Sequence, residues 1–533
     1  MEGITNFAHK NRNILWLGLA VLFVLAMSLN RFATWNWGVE VSDDSIFYIS
    51  AAENFLKGDG ISRIGGGNAI KPLTHFPPLY PLSLSFLGYF IGVREAVDWW
   101  AAIFLGINTV LITLLIFQGT KSTGASLLGG MLAIVSPLLL STHFEAMSEP
   151  LYLSSTLASF LLLAGYLRNR KNWYLIVAAV AASFAYLTRY IGVSVLLTGL
   201  LSLLFLYPGL YRTRFKKAVL FGTVAFIPNL LWYLRNYLLT GSFTNRVLSF
   251  HPVSQDKVNE GLLSISEWIF PQTMPNGLRL GLVSIILLIA IGGFVVEFVD
   301  RTKVGSSGDM DKRNPVPILV ALHVGVYGGL LITSLTFFDI STRLNNRILI
   351  PLYVMFLILG VISIHRILTL GTFPLRKILY LACALLFTAV MLVYAFRSWD
   401  LVRVMRETGS GYSSAAWRNS EVIAILKGLD SEWIVYSNEA FPVYYLTGMG
   451  AYGIPEKYDP VKSEEREDFQ SSMMVMRERL KSLNSALVVF HQGYLREGMP
   501  TLDEIAEGFV IARESRDGVI FVDPGNLDYW ESN

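Results

Sequence analysis

The chain has 533 residues, 53% hydrophobic and 16% charged, with a mean hydropathy of +0.48. Soluble domains carry about 25% charged residues, so this composition speaks against a purely soluble protein and for a polytopic membrane protein. A net charge of +3 with no Lys/Arg block gives nucleic acid no footing, and the single Cys383 rules out an intrachain disulfide framework and a thiolate metal site.

The first apolar run, residues 14–29, follows a short basic leader (Lys10, Arg12) and lacks a small-residue cleavage site. A retained helix is expected there rather than a signal peptide. A hydrocarbon core of about 30 Å takes roughly 20 apolar residues as a helix. Further spans are expected at 99–118, 124–141, 150–167, 173–188, 191–207, 218–234, 280–296, 315–336, 348–364 and 378–396, eleven in all. The run 79–92 (LYPLSLSFLGYFIG) is shorter and starts among Pro77, Pro78 and Pro81, so it reads as an interfacial or re-entrant helix. From residue 397 the composition turns polar. Strand-like runs at 433–437 (WIVYS), 486–490, 508–513 and 518–523 flank a charged helical pattern at 463–483. The expected organisation is a membrane domain over 1–396, with a long first outer loop at 30–98, followed by an extracytoplasmic α/β domain over 397–533.

Basic residues set the orientation. With the N-terminus inside, all six inner segments carry Lys or Arg, from Lys10 and Arg12 to Arg376 and Lys377. The outer turn 337–347, with Arg343 and Arg347, is the short loop that runs against the trend. The C-terminus and the adjacent pair Asp43 and Asp44 are then expected outside, near the membrane surface.

Several outer segments bring ionisable residues to that level. The first loop holds Asp43, Asp44, Glu53, Lys71 and His75; "STHFEAMSEP" holds His143, Glu145 and Glu149; "LTRY" places Arg189 at a turn. Arg235 ends another span, and "FFDISTRLNNRILIP" supplies Asp339, Arg343 and Arg347. His143 and Glu145 read as surface residues rather than ligands. Ionisable groups at membrane depth usually mark function. Arginine forks at the lipid–water boundary match the oxygens of a lipid-anchored phosphate. A carboxylate beside them can take the proton of an acceptor hydroxyl as it attacks a sugar's anomeric carbon, while the arginines stabilise the departing lipid phosphate. That is inverting glycosyl transfer from a polyprenyl-phosphate sugar.

The stretches "DDSIFYISAAENFLKGDG", "HFPPLYPLSLSFLGYFIG", "SPLLLSTHFEAMSEPLYL", "YLTRYIG" and "PNLLWYLRNYLLTG" come in an order that resembles the GT-C glycosyltransferases. The branch they resemble is the protein O-mannosyltransferase and lipid A aminoarabinose transferase group, over about residues 14–364. The resemblance implies a GT-C-like α-helical membrane fold, a polyprenyl-phosphate sugar donor and an acceptor lipid, glycan or protein. It implies that Asp43 is the catalytic base, Asp44 a second acid, and Glu149 the acid that opens the fourth span. Arg189 falls where relatives carry a donor-phosphate lysine, and His75 stands for the lysine of a "KPP"-like stretch. Lys71, Arg235, Arg343 and Arg347 complete the expected phosphate-binding set. Asp43, Asp44 and Glu149, with His75 or His143, could also hold a divalent cation; some relatives hold a metal near these positions and others work without one, so the cofactor stays open.

Other readings remain at this stage. Asp43 or Asp44 could cap a helix at 45–57, and the arginines could be interfacial anchors. The "GDMD" at 308–311 lies in a Gly/Ser-rich basic loop and reads as a solvated charge run, not a nucleotide-sugar site. A polysaccharide ligase or polymerase would need the same site. A secondary transporter would want charges near the midplane and repeats, and an adhesion protein has no need of the acid–arginine group.

Overall fold

The computed structural model of the chain describes residues 2–244, 250–288, 314–338, 343–370, 373–430, 432–458, 464–491 and 498–532. Asp339 and the "GDMD" stretch lie outside the described residues. The chain divides into two compact units. The first comprises residues 1–33, 74–83 and 97–403; the second comprises 34–73, 84–96 and 404–533. Most of residues 30–98 thus share a unit with the C-terminal residues.

In chain order the elements begin with α1 (Glu2–Thr34), α2 (Asp43–Lys57), β1 (Ser62–Ile64), β2 (Ile70–Pro72), α3 (Leu79–Ile91) and α4 (Val93–Thr120). Then come α5 (Thr123–Ile134), α6 (Pro137–His143), α7 (Glu149–Asn169), α8 (Asn172–Thr188), α9 (Val193–Phe205) and α10 (Tyr211–Thr240). The helices α11 (Gln255–Ser266), α12 (Asn276–Leu288), α13 (Val316–Phe337), α14 (Asn346–Leu370) and α15 (Phe373–Glu407) complete the apolar part.

Among the described residues, seven helices are long and apolar enough to cross a membrane, and α5 with α6 makes an eighth if the pair is one broken span. This is an integral membrane protein. The described residues do not establish all of the expected eleven spans, for local reasons. The stretches at 173–188 and 191–207 are α8 and α9, with 17 and 13 residues. At 1.5 Å per residue those cover about 26 and 20 Å, short of a full crossing. The stretch at 280–296 runs past the described residues, and 124–141 is broken by a bend of 58°. Ser136 and Pro137 cause the break. The Ser136 hydroxyl accepts from the Leu139 N–H at 3.2 Å as an N-cap, and Pro137, lacking an N–H, suits a helix start. The Val135 carbonyl left over at the break accepts from Ser398 Oγ of α15 at 2.8 Å, and Ser136 Oγ meets the Tyr353 hydroxyl of α14 at 2.7 Å. The run at 79–92 is the short helix α3, as its prolines predict.

The second unit holds a hairpin of β1 and β2 and a five-stranded sheet. The sheet's strands are β3 (Ile434–Ser437), β4 (Ala451–Gly453), β5 (Ser485–Phe490), β6 (Val510–Ser515) and β7 (Gly518–Val522), in the order β4-β3-β5-β7-β6. The three strands β4, β3 and β5 pair in parallel; β7 and β6 add antiparallel. β5 and β7 are buried along their whole length, which is why SALVVF and GVIFV read as unbroken apolar runs. Val435, Val488 and Ile520 pack on one face with Trp433 and Trp530, while Leu487, Val489 and Phe521 pack on the other with Met473 and Met476. The four strand-like runs in the sequence correspond to β3, β5, β6 and β7. Only the three-residue β4 lacked a run long enough to read.

Candidate functional site

Glu149 opens α7, followed by Pro150, whose missing N–H suits the first turn. An acid there also meets the positive end of the helix dipole. The side chain is buried, and a buried carboxylate is tolerated only with partners. Two arginines supply them: Arg189 Nη1 and Arg347 Nε each lie 2.5 Å from Glu149 Oε1. Arg189 sits at the end of α8 in extended backbone (φ −146°, ψ 136°), where the chain turns into α9. Arg347 stands in the first turn of α14. Arg189 Nη1 also donates to Ser148 Oγ at 3.2 Å. Three chain segments far apart in sequence therefore meet at one carboxylate. Two guanidiniums against one carboxylate leave the trio with one net positive charge.

Arg235, Arg343 and His75 are the other expected phosphate-binding residues of the first unit. The Arg235 guanidinium lies over the Trp232 ring at 4.7 Å and donates to Asn236 Oδ1 at 3.0 Å. Trp232 Nε1 in turn donates to the Tyr190 hydroxyl at 3.3 Å, so Arg235 borders the turn that carries Arg189. Arg343 is exposed, and His75 is exposed with its ring edge-on to Phe76 at 4.7 Å. His143 corrects the surface reading: it is completely buried. Its Nδ1 meets the Leu139 carbonyl at 2.7 Å and its Nε2 meets Asn108 Nδ2 at 2.9 Å. Asn108 Nδ2 can only donate, so the network assigns Nδ1 the proton. Both ring nitrogens are engaged.

In the second unit Asp43 and Asp44 form the first turn of α2. The N-cap is Ser42, whose N–H donates to Ser45 Oγ at 3.1 Å. The capping role offered to the aspartates thus belongs to a serine, and the two acids are first-turn residues. The Tyr412 hydroxyl donates to the Asp43 carboxylate. Tyr412 is placed by its own backbone, whose N–H donates to the Val41 carbonyl at 2.8 Å. Gly411 makes that approach possible. Its φ is +57°, and a Cβ there would come within 2.4 Å of the Val41 oxygen. Lys71 is exposed in β2, paired in register with Arg63. Glu53 accepts from the Tyr444 hydroxyl at 3.0 Å and from Arg94 at 3.4 Å. Burial, with Glu53 beside it, pushes the Tyr444 phenol well above its usual range, so it remains a donor.

Sequence reasoning missed Ser148 and Tyr412 as partners of the acids. "GSGYSS" announced a turn around Tyr412, but nothing local announced Asp43, 369 residues away. Among the described residues no group of three or more His, Cys, Asp or Glu is arranged to hold a metal ion. Glu149 is engaged by two arginines.

The chain has the GT-C-like fold that its sequence resembles. Two solved structures illustrate it. ArnT from Cupriavidus metallidurans bound to undecaprenyl phosphate is similar with a TM-score of 0.53 and 12% identity, over 96% of this chain and 98% of that one. The archaeal oligosaccharyltransferase AglB from Archaeoglobus fulgidus, in complex with an inhibitory peptide and a dolichol-phosphate, gives a TM-score of 0.54 and 12% identity, over 89% of this chain and 69% of that one. No protein-family model matches the chain, and no curated protein does.

Proposed function

We propose that the protein is an inverting glycosyltransferase that moves a sugar from a polyprenyl phosphate to an acceptor hydroxyl on the extracytoplasmic face of the membrane. The observation that carries this reading is the convergence of Arg189 and Arg347 on buried Glu149 within a GT-C fold. The trio's net positive charge suits a lipid phosphate, and the two similar structures hold undecaprenyl phosphate and dolichol-phosphate. Glu149 fixes the two guanidiniums, and Arg235, Arg343, His75 and Lys71 are secondary contributors to phosphate binding.

In the reaction the Asp43 carboxylate takes the proton of the acceptor hydroxyl. The acceptor oxygen bonds to the anomeric carbon from the face opposite the leaving group. The bond from that carbon to the phosphate oxygen breaks, and its electron pair leaves with polyprenyl phosphate, whose growing charge the arginines stabilise. Tyr412 orients the Asp43 carboxylate, and Asp44 positions the acceptor. A divalent cation would find its oxygen donors in Asp43 and Asp44, too few for the six or so that Mg²⁺ or Ca²⁺ prefers without water. No step is assigned to it.

The test is incubation of the purified protein in lipid nanodiscs with a panel of polyprenyl-phosphate sugars. Consumption of one donor, with polyprenyl phosphate released and the anomeric configuration inverted, is expected. Transfer from a nucleotide sugar with no lipid donor present, or no consumption of any lipid donor, would overturn the reading.

A further inference from the structure

Beyond the acid–arginine trio, the first unit contains a cavity of about 280 Å³ among the ends of α6, α14 and α15 and the residues that follow α11. Ligand pockets run from about 300 to 1,000 Å³, so this one is sized for a single ring rather than an oligosaccharide. Its wall is a hydrogen-bonded frame. Asn346 Nδ2 donates to Glu267 Oε2 at 3.1 Å, and Asn346 Oδ1 accepts from Trp268 Nε1 at 3.1 Å. The Tyr394 hydroxyl donates to the Trp268 carbonyl at 2.7 Å, and Tyr353 packs edge-on to Trp268. Aromatic walls with a few fixed polar groups are what a sugar ring asks of a site.

The charges in this frame do not cancel. Glu267 is paired with Arg279 at 3.5 Å. Arg397 spends one N–H on the Glu267 carbonyl at 3.1 Å and has no carboxylate within ion-pair distance among the described residues. Arg397 is one of the residues that line the cavity. The group of Glu267, Arg279 and Arg397 thus carries one net positive charge. A planar guanidinium presents a fork that matches a carboxylate or phosphate in two-point fashion. The cavity is also tied to the trio by sequence, because its wall residue Asn346 directly precedes Arg347, which grips Glu149.

We propose that this cavity binds one acidic sugar ring, with Arg397 reading the anionic substituent and Asn346 and the aromatic residues fixing the ring. This rests on the glycosyl-transfer reading for which substrate the ring belongs to, donor or acceptor, but not for the binding itself. A neutral ring would leave the Arg397 fork unmatched.

Saturation-transfer NMR and calorimetry on the full-length protein in nanodiscs test the site with methyl glucuronide and methyl glucoside as probes. The glucuronide should bind at least 10-fold more tightly than the glucoside. Arg397→Gln should weaken it about 10- to 100-fold, the scale of a charge-assisted bond, and Arg397→Lys should recover part of the loss. Arg189→Ala should leave glucuronide binding within twofold while weakening polyprenyl-phosphate binding, so a failed lipid arm would strike the catalytic reading and not the cavity. In transfer assays, an Arg397→Gln effect confined to the KM of the lipid donor assigns the ring to the donor, and one confined to the acceptor KM assigns it to the acceptor. Equal binding of the two glycosides, or glucuronide binding unchanged in both Arg397 variants, would overturn the proposal.

Discussion

Replacing Asp43 by Asn separates the role of its charge from that of its shape. The amide keeps an oxygen for the Tyr412 hydroxyl but cannot accept a proton. A hydrogen bond to a charged group contributes about 1.5–3 kcal/mol and a neutral one about 0.5–1.5 kcal/mol. Asp43 is a first-turn residue of α2, and losing a charge there costs a further 0.3–1 kcal/mol or so. The fold should therefore lose about 1–2 kcal/mol, a shift of a few degrees in melting temperature at most. Turnover, in contrast, should fall by about 100-fold or more, the usual contribution of a general base, or about 2.7 kcal/mol on the barrier. The measurement pairs initial rates of polyprenyl-phosphate release with donor binding and thermal melting on one preparation. Tyr412→Phe is the companion variant: it keeps the base but removes one donor to its carboxylate, and should cost less than about 10-fold in turnover. Near-parental turnover in Asp43→Asn, with the donor still bound, would refute the assignment of the base.

Removing either arginine of the trio should weaken donor binding strongly, by about 10- to 1,000-fold. One charge at contact distance contributes about 4 kcal/mol at an effective dielectric of 20, and the partial exposure of both side chains reduces it; lipid binding by Arg189→Ala and Arg347→Ala measures this. Glu149→Gln should lower thermal stability by about 2 kcal/mol, because it leaves two half-buried guanidiniums facing each other without the buried carboxylate between them; parental melting would contradict the pairing. Gly411→Ala forces a side chain into left-handed backbone against the Val41 oxygen, so it should cost about 1–2 kcal/mol and reduce turnover like Tyr412→Phe, with KM for the lipid donor unchanged. In a Cys383→Ala background, a cysteine at exposed Leu483 should label from outside intact cells and one at Lys171 should not; the reverse pattern would place the acids in the cytoplasm.

The apolar helices and most of the sheet were legible because their signals are local. A run such as WIVYS or SALVVF carries its own strand pattern, and the prolines around α3 announced a helix too short to cross. Membrane crossings were harder: 124–141 has the composition of one span, and only the bond geometry at Ser136 and Pro137 reveals two helices. In the site, charge and position within a loop marked the acids and arginines, so Glu149, Arg189 and Arg347 were found as individuals. Their meeting at one carboxylate depends on packing between helices up to 198 residues apart. His143 was misread because Ser, Thr and Glu around it look solvated, while the fold supplies Asn108 from another helix. Arg397 fell at the composition boundary, yet α15 continues through it to Glu407.

The break between α5 and α6 bears on the thickness of the surrounding bilayer. With α5 along the membrane normal, its 12 residues rise about 18 Å, and the 7 residues of α6, inclined at 58°, add only about 6 Å. The two helices alone therefore rise roughly 6 Å less than a 30 Å hydrocarbon layer, and Glu149 follows six residues after His143. If the pair is one span, lipid beside it thins, or water enters, to match the shortfall. On the glycosyl-transfer reading, a lipid phosphate held by the arginines at Glu149 would then lie below the level of its neighbours' head groups, and lengthening the acyl chains of the host membrane should slow its capture.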